Sequence, residues 1–290
     1  MKRLQQSRNL RRLAAAVVAL GAFQSVASTV DRETMTIKAT GSPDVSASVF
    51  TVEPTQARIR VLTTQDLKDG PSGHHGISVR EGADTALVGR VIAKHALLFN
   101  GGFSETDTDT PAGLLVSDGA VVSLASYAMK RADPSSTCPL RRVERPRLSG
   151  VLCVSSTGSV SIDDVQKTNP GVCRQALQAG PILVEKSGEA SVCSEDTEAA
   201  IRTAVCIRRQ QLLVVVTATP ISLHALAAWL AAPAGTGGLG CERALNLSGD
   251  ASSGAVYFPG GLASIKNRFK VGPGTYPMPS LILIQSKTIP

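Results

Sequence analysis

The chain has 290 residues, of which 43% are hydrophobic and only 3% aromatic, and 30 Lys and Arg stand against 23 Asp and Glu for a net charge of +7. That apolar share is enough to build a core and excludes global disorder. The scarcity of aromatics excludes the stacking platform that single-strand nucleic-acid binders use.

The chain opens with Lys2, Arg3, Arg8, Arg11 and Arg12, followed by an apolar run over 13–23 and the small-x-small step Ser25-Val26-Ala27. Basic region, apolar region and small-residue cleavage site, in that order, read as a secretory signal over 1–27. An uncleaved anchor is the alternative, but the run is shorter than the ~20 residues a span needs. The Arg11-Arg12 pair raises twin-arginine export, which the residues after it fit poorly. The expectation is a periplasmic or secreted protein with no membrane span once the leader is removed. The leader holds five basic residues and no acidic one, which leaves 25 against 23, a net +2, for the mature chain. Its basicity therefore gives no reason to expect a nucleic-acid partner.

All six cysteines, Cys138, Cys153, Cys173, Cys193, Cys206 and Cys241, lie beyond the leader. An even number in an oxidising compartment favours disulfides, whose pairing spacing does not choose. No C-x-x-C occurs and His is rare, so no metal and no cofactor are expected.

After a Thr/Ser-rich stretch over 28–49, read as a lead-in or an edge strand, residues 58–63 (RIRVLT) alternate as a strand. The glycine-rich 70–76 segment, with His74-His75, reads as a loop. Strands are expected over 86–92 and 96–99, the second ended by Asn100-Gly101-Gly102. Residues 114–116 and 121–125 flank Asp118-Gly119, a hairpin signal. Residues 132–147 form a basic, Pro-containing insertion. Further strand pairs are expected at 151–154 with 159–162 and at 204–207 with 212–216, and apolar residues surround Ala179-Gly180-Pro181. Helical spacing over 223–231 follows Ser222, a suitable N-cap. A short strand over 244–247 leads into Ser248-Gly249-Asp250-Ala251-Ser252-Ser253. The tail is polar and Pro-rich, with an apolar patch at 281–284. The sum is an α+β class: a β-rich mixed sheet built from hairpins, with a few packed helices. The divisions are leader 1–27, lead-in and first strands 28–78, and main domain 79–290.

Four blocks carry a resemblance. They are Phe99-Asn100-Gly101-Gly102-Phe103 with Pro111-Ala112-Gly113-Leu114 after it, Gln178-Ala179-Gly180-Pro181, Arg202-Thr203-Ala204-Val205, and Ala244-Leu245-Asn246-Leu247-Ser248-Gly249-Asp250-Ala251-Ser252-Ser253. In this order the chain resembles the phosphodiester glycosidase family, which includes the lysosomal uncovering enzyme and bacterial proteins linked to exopolysaccharides. The resemblance implies hydrolysis between a sugar's anomeric carbon and a phosphodiester oxygen, on envelope or extracellular glycans. It implies Arg202 as a bidentate phosphate holder and Asp250 as the carboxylate for oxocarbenium stabilisation or proton transfer. Asn100, Gly101, Gly102, Thr203, Asn246, Ser248, Gly249, Ser252 and Ser253 would contact the sugar phosphate. The chain departs from the pattern where Ser248 replaces the family Asp and Asp250 and Ala251 replace two loop glycines.

Plainer roles stand beside these. Arg202 fits a surface ion pair, Asn100 a turn with positive φ, Ser252 and Ser253 a cap, Cys206 half of a disulfide, and His224 a structural helix start. Gly249-Asp250-Ala251-Ser252 faintly resembles the Gly-Asp-Ser-Gly of trypsin-like proteases, but no base precedes it. A catalytically silent glycan- or phosphodiester-binding protein on the same scaffold is the alternative function. An envelope assembly factor without a small ligand is a third.

Overall fold

The computed structural model describes residues 29–38, 44–64, 66, 76–84, 95–105, 110–259 and 267–287. The leader, His74-His75 and the strand expected over 86–92 lie outside the described residues.

In chain order come β1 (Val30–Ile37), β2 (Val45–Val52), β3 (Ala57–Thr63), α1 (Val79–Asp84), β4 (Ala96–Asn100), β5 (Leu115–Ser117) and β6 (Ala120–Ser123). The basic insertion is closed by the short pair β7 (Met129–Lys130) and β8 (Arg145–Pro146). Next are β9 (Gly150–Ser155), β10 (Val160–Asp164), β11 (Cys173–Ala179), β12 (Ile182–Val184), β13 (Ala199–Ala200), β14 (Arg202–Arg208), β15 (Gln211–Thr217) and β16 (Ile221–Ser222). After α2 (Leu223–Ala231) the chain ends in β17 (Arg243–Gly249), β18 (Ala255–Phe258), β19 (Phe269–Val271) and β20 (Ser280–Ser286).

Three larger sheets result. The main sheet has the order β1-β2-β15-β14-β17-β12, the second β19-β18-β4-β20-β3, and the third β10-β9-β11-β5-β6. The strand-rich expectation holds, with two differences. Every strand pairing among the described residues is antiparallel, where a mixed sheet was expected. The helical part is also slight, with six residues in α1 and nine in α2. Tight turns carry strand to neighbouring strand in β5–β6, β9–β10 and β14–β15, and parallel neighbours would need longer crossovers. The Asp118-Gly119 turn joins β5 to β6 with both residues at positive φ, 48° and 87°. The β14–β15 turn reaches the same geometry without glycine, through Arg209 at 49° and Gln210 at 66°.

The lead-in is the edge strand β1, and β2 pairs with β15 inside the main sheet. The apolar patch in the tail is β20, held between β4 and β3. Phe50, Val205, Val214 and Leu245 of the main sheet meet Leu97, Phe99 and Ile282 of the second in one buried cluster. On the other face of the main sheet, α2 buries Leu226, Ala227 and Leu230 against Ala204, Leu213 and Val215. Ser222 caps α2 by accepting from the Ala225 amide at 3.2 Å. Each buried leucine contributes about 1.5–3 kcal/mol. All six cysteines are paired, as Cys138–Cys193, Cys153–Cys173 and Cys206–Cys241. No described helix is long and apolar enough to cross a membrane.

Candidate functional site

The chain fold brings the four sequence blocks together. β14 starts at Arg202 and runs beside the end of β17, where Arg202 faces Gly249 and Thr203 faces Ser248. One step further in, Ala204 faces Asn246, so Leu247 is an extra residue, a β-bulge between Thr203 and Ala204. The bulge turns Ser248 out of the alternation set by Asn246. Asn246 then donates to the Gly180 carbonyl at 3.0 Å, on the Ala-Gly-Pro side. Ser248 instead meets Asn100 of the second sheet, whose Nδ2 donates to the Ser248 Oγ at 2.8 Å.

Asn100 is not a positive-φ turn residue. It closes β4, is fully buried, and uses both ends of its amide. Nδ2 also donates to the Gly101 carbonyl at 3.0 Å, and Oδ1 accepts from the Gly254 amide at 3.1 Å. Ser253 adds a third member, 3.1 Å from Ser248 Oγ and donating to the Ile201 carbonyl at 3.0 Å. Asn100, Ser248 and Ser253 thus form a sealed polar joint between the sheets, each at most 1% exposed. Expected to contact the ligand, all three are buried in this structure and hold the loop between β17 and β18.

Gly101 and Gly102 serve close backbone approach. A Cβ on Gly101 would lie 2.5 Å from the Ser280 carbonyl oxygen, and one on Gly102 2.8 Å from the Gln178 oxygen. Thr203 is fully buried and Asn246 nearly so, which also sets them behind the accessible surface.

The accessible rim consists of Arg202, Gly249, Asp250 and Ser252. A Cβ at Gly249 would stand 2.8 Å from Arg202 Nη1, so the guanidinium lies over the bare glycine backbone. Arg202 Nη2 donates to the Glu198 carbonyl at 3.3 Å. No carboxylate forms an ion pair with Arg202 among the described residues, which removes the surface salt bridge as its role. Burial pulls its pKa below the ordinary arginine value, while the charges of Asp250 and Glu198 oppose that shift. A guanidinium stays cationic through such a shift, and its fork remains open to an anion.

Asp250 sits at φ 53°, in the left-handed region. The family pattern has glycine here, and Asp is one of the few other residues that tolerate the conformation. The turn is pinned by the Asp250 amide on the Ile201 carbonyl at 2.8 Å and the Ser253 amide on the Asp250 carbonyl at 3.0 Å. Ser252 donates to the Gly249 carbonyl at 2.8 Å, a local turn bond of the kind its sequence position suggests. Glu198 is the residue that sequence reasoning missed. It belongs to no block of the resemblance, and its four-residue offset from Arg202 is not a strand signature.

Three buried polar atoms at this place have no partner: Arg202 Nε, Thr203 Oγ1 and Asn246 Oδ1. Cys206 is half of a disulfide, and His224 bonds the Val192 carbonyl at 3.2 Å as a structural residue. Among the described residues no three His, Cys, Asp or Glu side chains gather in a metal-binding group.

Comparison with known proteins fits this geometry. No curated protein gives a significant sequence match. Among solved structures, the chain resembles the catalytic domain of zebrafish N-acetylglucosamine-1-phosphodiester alpha-N-acetylglucosaminidase, auto-inhibited by its pro-peptide. The TM-score is 0.58 at 15% identity, over 91% of this chain and 85% of that one. A hypothetical protein from Synechocystis gives 0.53 at 14% identity, over 89% of this chain and 62% of that one. At these identities the likeness establishes a shared fold. The sequence profile described as phosphodiester glycosidase matches residues 93–285, a span that includes all four blocks and begins after β1, β2 and β3. The chain belongs to the phosphodiester glycosidase family.

Proposed function

We propose that this protein is an exported hydrolase that releases a sugar from a sugar-1-phosphodiester in envelope or extracellular glycans. The observation that carries the reading is the unpaired Arg202 guanidinium lying over Gly249 beside the Asp250 turn. A forked cation without a protein counter-ion suits two phosphate oxygens. The bare backbone of Gly249 lets the substrate come close.

In the reaction the anomeric carbon–oxygen bond breaks and the electron pair leaves with the phosphate as a monoester. Water supplies the hydroxyl that replaces it, and the water's second proton is released. A phosphate leaving group is already acidic, so the barrier lies in positive charge at the anomeric carbon. Asp250 faces that charge as a carboxylate, with Glu198 as the second negative group at the rim. Arg202 holds the departing phosphate. Asn100, Ser248 and Ser253 keep the turn in place from beneath. The leader and the three disulfides support work in an oxidising compartment.

Ser248 favours a second reading. Where the family carries Asp, this chain has a hydroxyl bonded to Asn100 and buried to 1% exposure. A scaffold that keeps Arg202 but lacks that carboxylate would bind the phosphodiester sugar without cutting it. Assaying the protein on N-acetylglucosamine-1-phosphodiesters and related sugar-1-phosphodiesters separates the two. Free sugar that disappears in Arg202→Ala supports the hydrolase. Binding without turnover, with turnover gained in Ser248→Asp, supports the silent binder.

A further inference from the structure

The basic insertion between β6 and β9 is an arm fastened to the body. Cys138 is bonded to Cys193 on the segment between β12 and β13. Arg141 pairs with Glu195, at 3.2 Å, and with Asp196, and Ser136 donates to Glu195 at 2.9 Å. Between the arm and the body lies a cavity of about 340 Å³. Lys130, Arg145 and Arg147 line it on the arm side, and Pro181, Val192 and Leu223 line it from the body.

The charge balance there is uneven. The one carboxylate in the wall, Asp196, is already held by Arg141. Asp164 and Glu185, on the far side of Arg145, are matched by the buried Arg243 and by Lys167. Lys130, Arg145 and Arg147 have no side-chain hydrogen bond or ion pair among the described residues. Three like charges facing one space repel one another and are relieved by an anion. The opposing Pro181, Val192 and Leu223 offer an apolar wall of the size and kind that packs against a sugar ring, while two arginine forks suit carboxylate or phosphate oxygens.

We infer that the cavity beneath the arm is a binding site for an anionic sugar residue, phosphorylated or uronic, separate from the Arg202 rim. Its cations come from the insertion and not from any of the four family blocks. Pro181 ties the cavity to those blocks, since its carbonyl accepts from the Asn246 amide at 3.1 Å. Gly249 lies three residues further along the same strand, about 10 Å at ~3.4 Å per residue.

Isothermal calorimetry on the whole protein tests this, with glucose 1-phosphate, tri-galacturonate and neutral maltotriose as probes. One or both anionic probes should bind, and maltotriose should bind at least tenfold more weakly. Affinity should fall with added NaCl, as solvent-facing charge pairs do. The triple variant Lys130→Gln/Arg145→Gln/Arg147→Gln should lose at least tenfold in affinity for the anion that binds. Arg202→Ala should keep the binding of tri-galacturonate. These side chains are at the surface, and an unchanged melting temperature certifies that the variant folds. Equal binding by the triple variant, equal binding of maltotriose, or no anionic binding at all overturns the inference. Loss of anionic binding in Arg202→Ala alone assigns the ligand to the Arg202 rim, overturns the arm site, and leaves the proposed hydrolase standing.

Discussion

Arg202 and Gly249 face each other across β14 and β17, and the side chain of one lies over the missing side chain of the other. The guanidinium is the flexible end of that contact, and Gly249 has an ordinary φ of −137°. Gly249→Ala should therefore leave the fold intact, within about 1 kcal/mol, and push the guanidinium aside. Misplacement of about 1 Å is enough to cost about a hundredfold in rate. Sugar release should fall on that order while the urea midpoint stays in place. Gly101→Ala should behave in the opposite way: the Ser280 backbone at 2.5 Å cannot yield, and overpacking there should cost about 1–3 kcal/mol in denaturant titration.

The joint between the sheets predicts a different signature. Asn100→Ala removes the acceptor of the Gly254 amide and the side-chain donor to the Gly101 carbonyl, and leaves Ser248 Oγ with Ser253 alone, all at a buried place. Each unsatisfied group costs about 1–3 kcal/mol. Loss of stability should accompany loss of activity, and both should be visible in chemical denaturation. A stable, fully folded Asn100→Ala protein would show that the joint is not what holds the loop.

Acid stability should follow the carboxylates around Arg243. Burial pushes the pKa of Asp164 upward, but Lys167 and Arg243 outweigh it, and the folded value lies below the ordinary one. Asp163 is lowered in the same way, with burial outweighed by Lys186, Ser161 and Arg243. The unfolded chain therefore takes up protons first. This contribution is fully present above about pH 4 and is lost as pH falls through the lower folded values. Arg243→Leu should flatten that acid limb of the urea midpoint against pH. It should also destabilise the protein at pH 7, because Asp164 and Glu185 lose their shared cation.

The disulfides should differ in what they hold. Cys206 and Cys241 join β14 to the start of β17 in the α2-facing core, at 0% and 2% exposure. Replacing both with serine should cost about 2–4 kcal/mol and should disturb Arg202 at the other end of β14. Cys138→Ser/Cys193→Ser frees only the arm. It should reduce activity less and make the 129–147 segment the first site of limited proteolysis.

Much of this fold was legible in the sequence because its signals are local. Asp118-Gly119 marks a turn that needs positive φ, and Ser222 caps α2 as its type and place suggest. The tail strand β20 was hidden because a strand buried on both faces carries no alternation, and Leu281–Ile284 in a Pro-rich tail looks like any apolar patch. The Arg209-Gln210 turn was hidden for the opposite reason, since it adopts positive φ without glycine or asparagine. At the candidate site, the blocks fall at the ends of β4, β14 and β17. They did not reveal the bulge at Leu247, beyond which Asn246 bonds Gly180 and Ser248 bonds Asn100. Glu198 lay outside every block, and only the folded chain brings its charge to Arg202.

The most direct test of the central claim is the release of free sugar from a sugar-1-phosphodiester by the purified protein, measured beside Arg202→Ala and Asp250→Asn. The hydrolase account predicts turnover that falls by at least about a hundredfold in Arg202→Ala and drops in Asp250→Asn, with both variants folded. Substrate binding with no turnover across the panel, or turnover unchanged in folded Arg202→Ala, contradicts it.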